Sequence, residues 1–293
     1  MIMITTDPTI DALISLLDDQ DEMVFRSVKE KLLSLGSEIL PKLEEALFTA
    51  GSIEHYKKLE LVISLLKREI ILEQMKDWLG NDNRNLLDGW LLVSSIHHPN
   101  ISKEKIEGII HKLYRDAWLE ITESMTSLEK VSVINHILFR LNNFEISNGD
   151  TPNIRNIVVD KLLFSKVGDI FSLTILYIII ARNLHLDLLP IMLANKLLLV
   201  YEDNLASTLA FGTQSEKYLF YINVAHQGSV ISPKEVQFLY DKSNKYGKTV
   251  TRVETDINLI RKLLNLMYLI YTGEGDQDKL LLTEDLLALI EGH

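Results

Sequence analysis

The spacing of apolar residues predicts helices through the first half of the chain. A polar turn at residues 18–22 separates a helix at 10–17 from a second helix that ends at Gly36. The second helix carries an apolar stripe at helical spacing, formed by Val24, Val28, Leu32 and Leu35. The same pattern predicts further helices at residues 37–47, 55–79, 84–96, 102–124, 127–141, 156–164 and 171–184.

Short aliphatic and aromatic runs replace the helical pattern after residue 184. Two of these runs are predicted strands and one is a candidate strand: residues 191–201, 217–224 and, as the candidate, 205–211. The chain then returns to helices, which are predicted at residues 233–241, 256–271 and 276–290, the last two as a hairpin. This order of helices, a small antiparallel sheet and helices again predicts an α+β fold that is predominantly helical.

The first 85 residues form the predicted N-terminal region. Within it, residues 16–36, LLDDQDEMVFRSVKEKLLSLG, resemble one HEAT-type repeat, because a helix, an acidic turn and a helix ending in Leu-Gly follow one another. One repeat cannot bury its own apolar face, so an ordinary helical hairpin explains the pattern equally well. The region is interpreted either as a separate domain or as a flap on the rest of the chain.

Charge and cysteine content exclude several classes of function. Acidic residues outnumber Lys and Arg by 41 to 30, so general binding of nucleic acid, which needs clustered cations, is not expected. The chain contains no cysteine, which excludes disulfides, thiolate metal ligands and a thiol nucleophile. A chain without cysteine fits the reducing cytoplasm, which is the predicted location.

Targeting, membrane and metal-binding patterns are not expected either. The N-terminus lacks the basic segment of a signal peptide, and the most apolar run, residues 171–181, is about half the roughly 20 residues that a membrane span needs. The adjacent His97 and His98 do not share a helix face, and we interpret them as part of a surface loop before Pro99. Nucleotide-binding and zinc motifs are absent from the sequence, so no cofactor and no metal are expected.

Five segments between residue 87 and the C-terminus follow one another in an order that resembles a known family. They are INHILFRLNNF (134–144), NIVVDKLLFSKVGDIFSLTILYIIIARNLHL (156–186), LLLVY (197–201), YINVAHQGSVIS (221–232) and LLNLMYLIYTGEGDQDKLLLTEDLLAL (263–289). The order is similar to that of the bacterial SirB-type transglutaminase-like family. The resemblance implies a transglutaminase-like core at 86–250 and a tetratricopeptide-like helical hairpin at 251–293, which follow the HEAT-like region that the local pattern predicts at residues 1–85.

The resemblance also implies where a catalytic triad would lie. In an active relative the buried helix begins with a cysteine, a histidine assists the thiolate, and an aspartate orients the histidine. These positions fall on Ile170, Lys196 and Asn223, none of which can perform those roles. A shift of one residue at Lys196 or Asn223 does not restore the nucleophile. The resemblance therefore implies a catalytically inactive relative.

The leading prediction is a protein that binds another protein or a peptide in the inherited groove, where Lys196 would meet a carboxylate. The candidate groove residues are Ser172, Tyr221 and His226. The alternative is a hydrolase or transferase in which His185 or His226 activates Ser172, although Ser172 also suits a capping role at the helix start. A subunit of a structural oligomer is a third hypothesis.

Overall fold

The structure is a computed structural model, and it describes residues 8–149, 151–193, 196–202, 218–244 and 252–293. The fold is predominantly helical with a small antiparallel sheet in the middle, which confirms the predicted class. The candidate strand at 205–211 lies outside the described residues. The chain divides into two compact units, Met1–Asp77 and Trp78–His293. The predicted boundaries after residues 85 and 250 stay predictions.

The described part of the first unit is helical. Its elements are α1 (Pro8–Leu16), α2 (Glu22–Leu33), a 3-10 turn (Gly36–Ile39), α3 (Leu40–Phe48) and most of α4 (Ile53–Gly80). The Asp21 carboxylate caps α2 by accepting a hydrogen bond of 2.8 Å from the backbone N–H of Met23. The apolar faces of these helices share one core, built around the fully buried Leu17, Leu32, Leu43 and Leu59. The HEAT-like interpretation of this unit stays a prediction.

Helices also make up most of the second unit. They are α5 (Leu86–His97), α6 (Lys103–Glu120), α7 (Ser127–Asn135), α8 (Val159–Ser165), α9 (Ile170–Asn183), α10 (Pro233–Asn244), α11 (Asp256–Glu274) and α12 (Gln277–Glu291). A capping box starts α7, because Thr126 and Glu129 each accept a hydrogen bond from the other's backbone N–H. Among all the described residues, no helix has both the length and the apolar character needed to cross a bilayer.

A π-helix (His136–Leu141) continues α7 directly. The backbone N–H of Asn142 closes its wide turn by donating to the carbonyl oxygen of Ile137 at 3.1 Å. The Asn142 side-chain amide donates to the same oxygen at 2.8 Å, so this residue supports the wide turn twice. The sequence predicts one regular helix at 127–141, because apolar spacing does not distinguish a π-turn from an α-turn.

Within the part of the chain that the structure describes, the strands form one five-stranded sheet and one short ladder. They are β1 (Glu145–Ile146), β2 (Val167–Gly168), β3 (Leu188–Leu193), β4 (Lys196–Glu202), β5 (Tyr218–Asn223), β6 (Ser229–Ile231) and β7 (Arg252–Val253). β1 pairs in parallel with β2, and the antiparallel sheet has the order β6–β5–β4–β3–β7. The single strand predicted at 191–201 is wrong, because β3 and β4 form a hairpin in which Leu193 pairs with Lys196.

Side chains alternate between the two faces of the five-stranded sheet. Val200 and Tyr221 lie on the face covered by α10, where they pack with Val236. The opposite face carries the fully buried Leu199 and Ile222, and α9 packs against β3, β4 and the turn after β5. Nearly every residue of α9 from its third position onward is buried, which is typical of a helix enclosed on all sides.

The closing hairpin of α11 and α12 packs on α5, and α11 also packs on α9. Both terminal nitrogens of Arg182, in α9, donate to the Asp256 carboxylate at the start of α11, at 2.7 and 2.8 Å. These hydrogen bonds are the main reason that the pKa of Arg182 is raised. Gly275 follows α11 with a left-handed φ of 73° and turns the chain into α12. The predicted hairpin is present, and its tetratricopeptide-like character stays a prediction.

Candidate functional site

The three positions assigned to a former triad lie at the start of α9 and at two strand ends. Ile170 is the first residue of α9, and the preceding Asp169 caps the helix by accepting a hydrogen bond of 2.8 Å from the N–H of Phe171. Lys196 begins β4 and is exposed, whereas Asn223 ends β5 and is buried. Ile170 therefore lies at a capped helix start, where the resemblance places a nucleophile.

The strand register assigns Lys196 and Asn223 to one face of the sheet. Leu199 pairs with Ile222, so the next residue pair is Leu198 with Asn223, and Lys196 points to the same side as Leu198. This is the face covered by α10, whereas α9 packs against the other one. The register places these two positions on one face of the sheet but does not direct them toward α9.

A shift of one residue would move each position to the face that α9 covers. The described neighbours there are Leu197, Ile222 and Val224, all of which are buried and aliphatic. Asn195 lies outside the described residues. In the part of the chain that the structure describes, the α9-facing neighbours of residues 196 and 223 therefore carry no acid–base group. The assignment of the triad positions stays a prediction.

The hydroxyl of Ser172 is buried and is engaged by the main chain. It donates to the carbonyl oxygens of Asn156, at 2.7 Å, and Asp169, at 2.9 Å, which share its single proton. The two candidate partners, His185 and His226, are both exposed, and neither forms a hydrogen bond with Ser172 in the described structure. These contacts favour a structural role for Ser172 at the start of α9 rather than activation by a base.

The three predicted groove residues occupy different surroundings. Ser172 is buried at the start of α9, and Tyr221 is buried on the α10 face of the sheet. His226 is exposed in the short 3-10 turn after β5, and it lines a cleft. The structure thus places His226 at a candidate site and leaves the other two side chains in the interior.

The cleft has a volume of about 400 Å³ and opens between the π-helix and the turn that joins β5 to β6. Its lining comes from Ser132, Asn135, His136, Phe139, Arg140, His226, Gln227, Gly228, Ser229 and Val230. A volume of this size is typical of ligand pockets. π-turns are rare and often occur at functional sites, so the position of the cleft beside one supports a role in binding.

Asn135 holds the two walls of the cleft together. Its side-chain amide donates to the carbonyl oxygen of Gly228 at 2.8 Å, and its side-chain oxygen accepts a hydrogen bond of 2.9 Å from the Tyr177 hydroxyl. Tyr177 is fully buried in α9 and stacks on Phe139, with ring centroids 6.4 Å apart. Burial raises the pKa of Tyr177, so the hydroxyl remains a donor at neutral pH. The cleft is therefore connected to the core by one satisfied polar network.

Gly228 is the residue that permits this close contact. Its φ is +72°, a left-handed conformation, and a Cβ at this position would lie 1.8 Å from the Asn135 side-chain oxygen. Gln227, the residue before it, also has a positive φ, of 52°. The turn after β5 is therefore tightly constrained where it meets α7.

The described lining of the cleft contains no acidic side chain, although the protein is acidic. Arg140, His136 and His226 line the cleft and are exposed, and no Asp or Glu of the described residues joins them. The sequence pointed to His226 but not to Asn135 or Arg140. Asn135 and Arg140 lie in the segment 134–144, but the spacing of its apolar residues does not indicate that this segment contacts a turn about 90 residues later.

A smaller cavity of about 140 Å³ lies beside the start of α9. Asp169 and Asn156 line it, together with residues of the loop that follows β1. Burial raises the pKa of Asp169, although the backbone N–H groups of Phe171 and Ile170 oppose this effect. Because the same carboxylate caps α9, its arrangement is explained by the helix start.

The surface loop predicted at His97 and His98 is wrong for His97, which ends α5, whereas His98 follows the helix outside regular structure, as predicted. His97 is the last residue of α5, and its Nδ1 lies 3.5 Å from the Tyr271 hydroxyl, whereas His98 Nδ1 lies 2.9 Å from the Asp160 carboxylate. Both rings are half-buried because α8 and α11 pack on this end of α5. No group of three or more metal-ligating side chains occurs among the residues that the structure describes.

Comparisons with known proteins identify one family. A family model described as the transglutaminase-like superfamily matches residues 104–265, more than half of the 293-residue chain. The matched segment includes α9, the strands β3 to β6 and both walls of the cleft. The search of curated proteins and the search of solved structures each found no significant match.

Proposed function

The chain belongs to the transglutaminase-like superfamily, and from this we propose that it binds a protein or peptide without catalysing thiol-dependent acyl transfer. The observation that carries the proposal is the absence of cysteine from all 293 residues. No side chain other than cysteine supplies a thiolate. The hydroxyl of Ser or Thr becomes an effective nucleophile only when an adjacent base activates it.

The residues at the candidate triad positions support the same proposal. Ile170 offers no nucleophile, Lys196 no neutral imidazole and Asn223 no carboxylate. Ser172, the nearest hydroxyl at the start of α9, is buried and donates to two carbonyl oxygens. A fold kept without its chemistry is expected to serve recognition, since function depends on the site rather than on the fold.

The cleft between the π-helix and the β5–β6 turn is the proposed binding site. It is open to solvent, it combines the apolar Phe139 and Val230 with polar groups, and its walls are joined by Asn135. Pre-organised walls lower the ordering cost of binding. A peptide side chain or chain terminus has a suitable size for a cleft of about 400 Å³.

The test uses the full-length protein immobilised and exposed to a random peptide library. Captured peptides are eluted and identified by mass spectrometry, which reports both enrichment and any change in mass. The cleft variant Val230→Glu is compared with Leu219→Glu, which alters a similarly exposed residue of β5 outside the cleft. We expect enriched peptides of unchanged mass, with enrichment lost in Val230→Glu only.

Two outcomes would contradict the proposal. Enrichment that is equal in the wild type and in Val230→Glu would exclude the cleft as the site of binding. Peptides that return hydrolysed or joined to an amine would show that the protein is a catalyst that uses a nucleophile other than cysteine.

A further inference from the structure

We infer that the cleft between the π-helix and the β5–β6 turn recognises an oxyanion, and specifically a carboxylate carried by the bound peptide. The inference rests on the proposed peptide-binding function, because it names the chemical group that this site would take. It also differs from the expectation drawn from the resemblance, which placed the carboxylate against Lys196.

The first observation is the local charge. The protein has 41 acidic residues against 30 Lys and Arg, so an average stretch of its surface carries more acid than base. Within the described ranges of the chain, one arginine and two histidines line the cleft and no Asp or Glu does. A site with this lining attracts an anion locally even though the whole protein repels it.

The second observation is the state of Arg140. Its side chain is exposed at the cleft and forms no ion pair with any of the residues that the structure describes. By contrast, Arg182 places both terminal nitrogens on Asp256, at 2.7 and 2.8 Å. The guanidinium of Arg140 thus keeps the planar set of donors that binds a carboxylate with two parallel hydrogen bonds.

The third observation is that Arg140 and the two histidines, which all carry N–H donors, stand on opposite walls of the cleft. Arg140 and His136 lie on the π-helix, and His226 lies on the turn after β5. The hydrogen bond of 2.8 Å from Asn135 to the carbonyl oxygen of Gly228 joins these walls. A ligand oxyanion between them meets donors from two sides without requiring the cleft to close first.

The apolar part of the lining distinguishes a peptide carboxylate from a free inorganic anion. Phe139 is 7% exposed and Val230 is 42% exposed, so apolar surface lies beside Arg140 and the two histidines. The carbon atoms that carry a peptide carboxylate can pack on this surface, whereas a phosphate ion has no apolar surface to bury against it. This difference favours a peptide terminus or an acidic peptide side chain as the source of the oxyanion.

The experiment titrates small probes into the full-length protein labelled with ¹⁵N at histidine. The probes are N-acetylglycine, its neutral amide N-acetylglycinamide, and inorganic phosphate, all at constant pH and ionic strength. Nuclear magnetic resonance follows the ring nitrogens of His136 and His226. We expect N-acetylglycine to shift both signals with a saturating curve, the amide to shift neither, and phosphate to bind at least about tenfold more weakly.

Matched arginine variants identify the group that binds the anion. Arg140→Gln removes the cleft guanidinium, and Arg155→Gln removes an exposed guanidinium that lies outside the cleft. We expect Arg140→Gln to weaken N-acetylglycine binding about tenfold or more and Arg155→Gln to leave it unchanged. An unchanged amide spectrum away from the cleft verifies that each variant is folded.

Several results would overturn the inference. They are equal binding of the acid and its amide, tighter binding of phosphate, equal weakening by both arginine variants, and no shift at either histidine.

The result also separates this inference from the proposed function. If N-acetylglycine binds through Arg140 but the peptide library shows no enrichment, the oxyanion site stands and peptide binding fails. If peptide enrichment depends on Val230 but N-acetylglycine does not bind, peptide binding stands and the oxyanion site fails.

Discussion

Asn135 and Gly228 are 93 residues apart in the chain, yet the side chain of one fills the space that a Cβ on the other would need. The amide of Asn135 donates to the Gly228 carbonyl oxygen at 2.8 Å, and its oxygen lies where residue 228 must have no side chain. The contact joins α7 to the β5–β6 turn. It makes the geometry of the cleft depend on the identity of a single glycine.

We expect Gly228→Ala to lower the free energy of unfolding by about 2–4 kcal/mol, because a left-handed alanine is strained and its Cβ would lie 1.8 Å from Asn135. The matched control is Gly275→Ala, whose φ is also left-handed, at 73°, but whose Cβ would meet no atom within 4 Å. This control isolates the backbone strain of about 1 kcal/mol. Urea unfolding measures the loss of unfolding free energy in each variant. Equal losses in the two variants would show that the contact with Asn135 adds no cost.

We expect Tyr177→Phe to lower the free energy of unfolding by about 1–2 kcal/mol, since it leaves the buried side-chain oxygen of Asn135 without its donor at 2.9 Å. Tyr268→Phe is the control, because the structure shows no hydrogen bond from the half-buried Tyr268 hydroxyl to any described residue. Thermal or urea unfolding compares the two variants. The proposed polar network is contradicted if Tyr177→Phe is as stable as the control.

We expect the wild-type protein to resist labelling by a fluorophosphonate probe at Ser172, because that hydroxyl is buried and donates to carbonyl oxygens at 2.7 and 2.9 Å. Ser172→Ala should lower the free energy of unfolding by about 1–2 kcal/mol. Ser64→Ala, at an exposed position within α4, should have little effect. Labelling that disappears in Ser172→Ala but persists in Ser64→Ala would instead support the hydrolase alternative.

We expect Arg182→Lys to lower the free energy of unfolding by about 1 kcal/mol, since lysine cannot replace the bidentate contact with Asp256. The arginine side chain is 40% exposed, so screening by solvent keeps the effect modest. Arg115→Lys is the control, because its contact with Asp116 is longer, at 3.8 Å, and more exposed. The difference between the variants should shrink at high salt, and a salt-independent difference would argue against an electrostatic origin.

We expect stability to fall with acidification through the titration of His97. Burial lowers the pKa of His97 below its usual value of 6.5, and Lys279 adds to this effect. The folded state therefore favours the neutral ring: the stabilisation is complete above pH 6.5 and is lost as the pH falls toward the lowered pKa.

The His97→Gln variant tests this dependence. It should flatten the decline of unfolding free energy on the acidic side of pH 6.5, whereas His111→Gln, at an exposed ring, should leave the slope unchanged. Urea unfolding at several pH values gives the slopes. Equal slopes for the wild type and His97→Gln would assign the decline to other groups.

Local pattern was sufficient to predict most of the helices. The continuous apolar run of α9 identified a buried helix, and the segments at 256–271 and 276–290 correspond to α11 and α12. The hairpin of β3 and β4 was missed because the segment from Leu188 to Tyr201 is mostly aliphatic, and the polar pair Asn195 and Lys196 in its middle was not interpreted as a turn. When both faces of a sheet are covered, alternation disappears and the pattern no longer marks where one strand ends.

The candidate site was only partly accessible from the sequence. His226 could be chosen as a histidine in a polar turn, but the partners of that turn are set by tertiary contacts. The sequence pattern predicts an ordinary polar helix position for Asn135, and its contact with Gly228 is visible only in the structure. The glycine itself is a signal that was available, because a Gly after two polar turn residues often marks a left-handed position.

The π-helix also has a consequence for changes in chain length. It holds one residue more than an α-helix would over the same path, and each helical residue turns the chain by about 100°. Deleting one residue between Ile137 and Leu141 would therefore leave a longer regular helix while rotating the guanidinium of Arg140 away from the opposite wall. Insertions and deletions in this segment, like substitutions of Arg140, are therefore changes through which related chains could gain or lose an arginine at this cleft on an otherwise unaltered scaffold.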